Sequence, residues 1–234
     1  MASSSPPPYH LMLAGDTRIW HISPHETEFL YIEIFTHRSY LQHGISIPAH
    51  SAVVIDVGAN IGLFSLWIST LSAAPRIVAI EPSPLSYGAL ELNVPAASLY
   101  QIALGAERQS HIMFTSYPDE PGETTRYPSE RDEMRAATLA SLSIAPQETK
   151  EALIGHSAVL EQQHLQPQPE QFHCDVFTRS DTISAEELTH IDVLKGCYRI
   201  DLEWDLCHSF FITYISHKLI IYIYMYDNII HCCC

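Results

Sequence analysis

The stretch from Ser51 to Gly62 constrains this chain more than any other. Ser51 to Val57 (SAVVIDV) is a compact run of apolar and β-branched residues, the pattern of a parallel strand buried on both faces. Gly58-Ala59-Asn60-Ile61-Gly62 breaks the run, and Leu63 to Leu71 then supplies apolar residues in a helix-forming stretch. The alternation repeats. Arg76 to Ile80 predicts a second strand closed by Glu81-Pro82-Ser83-Pro84, Leu85 to Asn93 a second helix, and Leu99 to Leu104 a third strand ending at Gly105. Strand, helix, strand, helix, strand at these distances predicts half of a doubly wound, Rossmann-like α/β sheet with helices on both faces.

Open sheets of this kind bind ligands beyond the carboxyl ends of their strands. Gly58 and Gly62 fall there, and glycine allows both a tight turn and a close approach of ligand to backbone. A helix starting near Asn60 aims unpaired N–H groups at an anionic group, with Asn60 either capping that helix or meeting the ligand. Asp56 lies just before the turn, badly placed for a pyrophosphate and well placed for an ammonium or the water around it. Glu81 ends the second strand 25 residues later, where a carboxylate can accept both ribose hydroxyls of an adenosine. A dinucleotide site uses an acidic residue there too, so Glu81 alone does not choose the ligand. The glycines narrow the choice. The dinucleotide fingerprint needs glycine at positions 60 and 63, where this chain has Asn60 and Leu63, and no Gly-Lys-Ser/Thr follows to make a P-loop.

Val54-Ile-Asp-Val-Gly-Ala-Asn-Ile-Gly62, Ala79-Ile-Glu-Pro-Ser-Pro84 and Gln101-Ile-Ala-Leu-Gly105 together resemble the FkbM-type family of class I S-adenosylmethionine-dependent methyltransferases. That family mainly methylates oxygen on small molecules or sugars, secondary metabolites included. The resemblance implies S-adenosyl-L-methionine as cofactor and a small-molecule methyl acceptor as partner. It implies the glycine turn around the methionine moiety, Glu81 at the ribose, and the region after Ala103 near the adenine. Asp56, Gly58, Asn60, Gly62, Glu81 and Ala103 are thus the expected cofactor-binding residues. The family's acidic adenine contact has no counterpart in Gln101 to Gly105, which leaves backbone groups or Glu107 to serve.

No residue is singled out as catalytic base. His111, His156, His173 and His190 are each placed where they can approach strand ends, and nothing separates them. His173-Cys174-Asp175 resembles metal-ligand material, but adjacent residues of a strand alternate in direction and cannot all face one ion, so no metal site is expected.

Around this block, residues 1–22 form a lead-in with two short strands flanking Ala14-Gly15-Asp16, and residues 23–195 form the methyltransferase domain, its cofactor half at 51–105. Ser23, Pro24 and Glu26 predict a capped helix over roughly 24–35, with Phe29, Ile32 and Phe35 turned to the sheet and Tyr31, Glu33 or His37 available to a substrate mouth. His111 to Tyr117 predicts a strand, Pro118 to Glu133 a charged surface excursion, and Ala136 to Leu160 helical stretches. A polar loop over 161–170, an edge strand over Phe172 to Phe177 and a further central strand ending at Lys195 complete the domain.

The family pattern departs after Lys195. Thr189-His-Ile-Asp-Val-Leu-Lys195 should continue into an Ile-Asp-Val-Glu-Gly type of segment, and instead Gly196-Cys197-Tyr198-Arg199-Ile200-Asp201 follows, so no family role passes to Asp201 or Glu203. Residues 197–234 hold eight isoleucines, five tyrosines and five cysteines, and no proline occurs after Pro169. Residues 196–234 are therefore read as a divergent tail of the kind a retained intron or shifted frame produces. Such a sheet normally has seven strands, of which the chain up to Lys195 supplies about four, so it is expected to be incomplete at its C-terminal end. Ile220 to Tyr226 has high β-propensity and is too short for a membrane span.

Charge argues against the commonest macromolecular partners. Twelve Lys+Arg against 27 Asp+Glu give a net charge of -15, which repels phosphate backbones and anionic lipid headgroups, so neither nucleic acid nor membrane is an expected partner. The first residues lack a basic region followed by an apolar one, and residues 1–173 contain no cysteine, so a reducing cytoplasm is the expected location.

Overall fold

A computed structural model describes residues 9–13, 17–118, 121–129, 168–196 and 220–222. Strands β1 (Tyr9–Leu13) and β2 (Thr17–His21) pair as an antiparallel hairpin. Helix α1 (Pro24–Tyr31) starts where expected, with Pro24 in its first turn and the Ser23 hydroxyl accepting the Glu26 amide at 3.4 Å. It runs on through residues 32–36 as a wider π turn, in which the His37 amide reaches the Ile32 carbonyl at 2.9 Å. The inward face differs from the expected one. Thr27 and Ile34 are buried and Leu30 packs against the core, as does Phe35 in keeping with the expectation, whereas Ile32 is 42% exposed. Steps of three and four residues hold one face of a helix, and the step of three from Phe29 carries Ile32 off the face that Thr27, Leu30 and Ile34 hold.

The main sheet has five strands in the order β10-β9-β3-β4-β5: β3 (Val53–Val57), β4 (Arg76–Ile80), β5 (Ser98–Tyr100), β9 (Val193–Lys195) and β10 (Ile220–Tyr222). All four neighbouring pairs are parallel. The first two strands and their helices, α2 (Leu63–Leu71) and α3 (Pro84–Asn93), fall within two residues of the expected bounds. Four strands come from residues up to 195, as expected, and Ile220–Tyr222 of the tail adds a fifth beside β9.

Side chains alternate between two cores. Val54, Ile77, Ala79 and Val193 face Phe64, Trp67 and Ile68 of α2 and Ala89 and Leu90 of α3. Ile55, Val78, Ile80 and Leu194 face the other way, against Ile183 of α4 (Arg179–Ala185) and Leu188 and Ile191 after it. Burial on both faces is why these strands read as unbroken apolar runs, each fully buried Ile or Val adding about 1.5–3 kcal/mol. Helices therefore flank the sheet on both sides.

The expected third strand is two strands. β5 ends at Tyr100, and β6 (Ala103–Leu104) leaves for a second sheet of order β6-β8-β7 with β7 (Gln109–Ser116) and β8 (Glu170–Phe177). β8 is the middle strand of this sheet and not an edge, bonded to β6 in parallel and β7 antiparallel. Its alternation arises because one face is packed and the other is exposed. Residues 121–129 also depart from a surface excursion, since Pro121, Gly122, Thr124 and Thr125 are buried and Thr125 pairs with Thr115 of β7. The helical stretches expected over 136–160, most of the 161–170 loop and His156 lie outside the described residues.

Candidate cofactor site

Chain direction reverses across β3. From β3 the chain moves outward to β4 and β5 on one side, and it returns to place β9 on the other. The ends of β3 and β9 thus form a topological switch point, where an open α/β sheet offers a crevice.

The turn leaving β3 holds three left-handed residues, Gly58 (φ 66°), Asn60 (φ 51°) and Gly62 (φ 89°). Asparagine tolerates that region better than most side chains, so Asn60 suits the turn as backbone as well as by its carboxamide. Gly62 caps α2, which starts at Leu63, three residues later than Asn60 because the left-handed turn delays it. A Cβ on Gly62 would come within 2.7 Å of both Leu90 and Val94, so glycine here also permits close packing of the turn on α3. Asn93 of α3 completes the seat, its amide donating to the Ile61 carbonyl at 2.6 Å and exchanging 2.8 Å bonds with both backbone groups of Trp20.

Glu81 is brought to this turn. The amides of Gly58 and Ala59 bond the Ile80 carbonyl at 2.9 and 3.0 Å, tying the turn to the end of β4. The Glu81 carboxylate accepts the Asn60 amide at 2.8 Å and the Ser83 amide at 2.9 Å, one on each oxygen. It is only 3% exposed, and burial pushes its pKa up to about 7 against the opposing pull of those two amides and of Lys195. Ala103 is buried at the start of β6, beside the Cys174 thiol. That thiol is driven up to about 11 by burial, with the charge of Glu81 adding to the rise. The turn, Glu81 and Ala103 therefore share one neighbourhood.

Asp56 is fully buried and points to the α2 side of the sheet. The Ser65 hydroxyl donates to one oxygen at 2.7 Å, and Lys195 forms an ion pair with the other at 2.9 Å while donating to the Gly58 carbonyl at 2.7 Å. The cation on Asp56 is thus the protein's own lysine, from the end of β9.

Lys195 was legible only as the last residue of a recognisable strand, and its position at a central strand's carboxyl end was the available signal. Glu26 gave a misleading one. Its position suggests a capping box, yet its carboxylate accepts the Asn60 side-chain amide at 2.7 Å and the Gly122 amide at 3.0 Å. It links α1, the glycine turn and residues 121–123. The Asn60 carboxamide oxygen is buried and has no hydrogen-bond partner among the described residues. Among the described residues, the candidate histidines do not converge on the site: His111 and His173 stack at 4.9 Å on the exposed side of the second sheet, and His190 stands 3.7 Å from Asp192, which bonds the first residue of β3 at the sheet's opposite end.

These features define a Rossmann-like α/β protein with an acidic, glycine-turned switch point. Part of the chain is similar to known methyltransferases. The chain is 38% identical over 113 residues to the 31-O-demethyl-FK506 methyltransferase FkbM of Streptomyces tacrolimicus, covering 47% of this chain and 43% of that protein. Methyltransferase sdnD of Sordaria araneosa is 32% identical over 118 residues, 48% of this chain and 44% of its own length. The AMB antimetabolite synthetase AmbE of Pseudomonas aeruginosa is 42% identical over 111 residues, 45% of this chain and 5% of that much longer protein. No family model matches the chain. The chain is similar to FkbM-type methyltransferases over a little under half of its own length, and the matches span less than half the length of these three relatives. No helix among the described residues is long and apolar enough to cross a membrane.

Proposed function

We propose that the chain binds S-adenosyl-L-methionine at the switch point and transfers its methyl group to an oxygen of a small molecule or sugar-like acceptor. The observation that carries this is the Glu81 pair of amide bonds, which presents a buried, charge-strained carboxylate beside the unpartnered Asn60 oxygen. The Asn60 oxygen is an acceptor without a donor among the described residues, each Glu81 oxygen can accept a second bond beside its amide, and the hydroxyl and ammonium groups of this cofactor are donors. Glu81 would take the ribose hydroxyls, the turn from Gly58 to Gly62 the methionine moiety, and Ala103 the adenine. Asp56 acts through Lys195, holding the Gly58 carbonyl and so the shape of the turn.

The bound cofactor supplies a methyl group already activated on a sulfonium. The protein's part is to orient the acceptor, exclude water and accept a proton. An oxygen acceptor is supported by the relative named for methylating 31-O-demethyl-FK506. The net charge of -15 supports a small-molecule role over one on nucleic acid or membrane. A second reading, a chain that folds without catalysing transfer, rests on the departure from the family pattern after Lys195.

Calorimetric titration with S-adenosylmethionine and with NADH tests the proposal. Saturable binding of the first alone is expected. Tight NADH binding without S-adenosylmethionine binding overturns it, and binding of neither, with broad unfolding, favours the second reading.

A further inference from the structure

The sequence offers Asp56 to an ammonium, but Lys195 occupies that carboxylate. A cofactor bearing an ammonium therefore needs another acceptor. On the cofactor reading above, the ligand's hydrogen-bond donors are two ribose hydroxyls, the adenine amino group and the ammonium of the methionine end. Glu81 takes the hydroxyls and the adenine lies by Ala103, which leaves the ammonium for the glycine turn. Between Gly58 and Gly62 only Asn60 has a polar side chain, and its carboxamide oxygen is buried with no hydrogen-bond partner among the described residues.

A carboxamide has two ends of nearly equal shape, and only one of them accepts. Glu26 decides which end is which. One oxygen of its carboxylate takes the Asn60 side chain at 2.7 Å and the Gly122 amide at 3.0 Å. An oxygen already accepting a backbone N–H faces the Asn60 nitrogen and not its oxygen, since turning the carboxamide over would set two acceptors against each other. The Asn60 oxygen is thereby directed away from Glu26. The backbone of the same residue is fixed as well, left-handed at φ 51° and donating its amide to Glu81 at 2.8 Å. Asn60 is thus held at its amide by the ribose carboxylate and at its side chain by Glu26. Donation to a carboxylate also polarises the carboxamide and strengthens its oxygen as an acceptor.

We propose that Glu26 is a positioning residue for the cofactor: by holding the Asn60 nitrogen it presents the Asn60 oxygen to the ammonium of the methionine end. The inference rests on the cofactor reading above. Glu26 acts through Asn60, so its removal costs only those ligands that carry an amine at that end. A hydrogen bond to a charged donor in a buried place is worth about ten-fold in affinity.

The test is calorimetry on the full chain with S-adenosylmethionine, S-adenosylhomocysteine and methylthioadenosine, which keeps the adenosine and lacks the amino-acid end. Glu26→Met removes the acceptor and keeps the side chain's length. It is expected to weaken the first two probes about ten-fold and to leave the third unchanged, and Glu26→Ala serves if the methionine variant does not fold. Glu26→Gln, whose carbonyl oxygen can accept both the Asn60 and the Gly122 donors, is expected to bind within about three-fold of wild type. Equal loss for all three probes, loss for none, or a glutamine variant as weak as the methionine one overturns the role of Glu26 and leaves the cofactor site standing. Failure of the wild-type chain to bind either S-adenosylmethionine or S-adenosylhomocysteine overturns both readings together.

Discussion

The two larger sheets among the described residues are built from similar residues and differ in what covers them. In the main sheet Val53–Asp56 and Ile77–Ile80 are buried without interruption, because helices lie on both faces. In the second sheet β8 is exposed at Glu170, Gln171, His173 and Asp175 and buried at Cys174 and Val176. A sheet covered on both sides holds charge at its strand ends by pairing it, as Asp56 is paired with Lys195 and Glu81 with its two amides. The half-open sheet leaves its charges in water. This contrast says where substitutions matter and why the proposed chemistry belongs to the first sheet.

The sharpest way to test the contrast is Gly62→Val. The left-handed φ of 89° disfavours a β-branched side chain, and its Cβ would fall 2.7 Å from Leu90 and Val94. The expected cost is about 4 kcal/mol or more, read as loss of cooperative thermal unfolding. Lys195→Met comes next, since it leaves Asp56 buried and uncompensated. A loss of about 3–4 kcal/mol in a denaturant melt is expected, and the double variant with Asp56→Asn should recover more than half. A matched change on the second sheet, Asp175→Ala, removes an exposed acceptor of the His111 amide and should cost under about 1 kcal/mol. Equal losses for Lys195→Met and Asp175→Ala would dissolve the distinction between the sheets.

A pH series sharpens it further. Glu81 has a pKa near 7 in the folded chain against an ordinary 4.5, so between these values the folded state holds more protons than the unfolded one. Stability contributed by protonated Glu81 is complete below about pH 4.5 and is lost as pH rises through 7, by up to about 3 kcal/mol. Denaturant melts of wild type and Glu81→Gln at pH 5 and pH 8 should show the difference, with the variant lacking this part of the slope.

Much of the main sheet was legible in the chain itself. The strand at 76–80 and the helix at 63–71 have the expected bounds, because continuous apolar runs broken by glycine or proline follow from local dihedral preference and two-sided burial. The split of the third strand was not legible. Nothing in Leu99 to Leu104 says that Gln101 and Ile102 leave one sheet for another; that is decided by β8, some seventy residues further on. Ile32 was misplaced because a step of three from Phe29 carries it off the inward face held by Thr27, Leu30 and Ile34.

By itself, then, the sequence determined the parallel α/β core, the glycine turn and the position of Glu81 at a strand end, all of which depend on residues close in the chain. The tertiary structure alone decided that Lys195 meets Gly58 across 137 residues, that Glu26 serves Asn60 rather than its own helix cap, and that Asn93 clasps Trp20. Backbone preference and burial period act over a few residues. The pairing of a buried charge depends on which strands become neighbours, and only the assembled sheet fixes that.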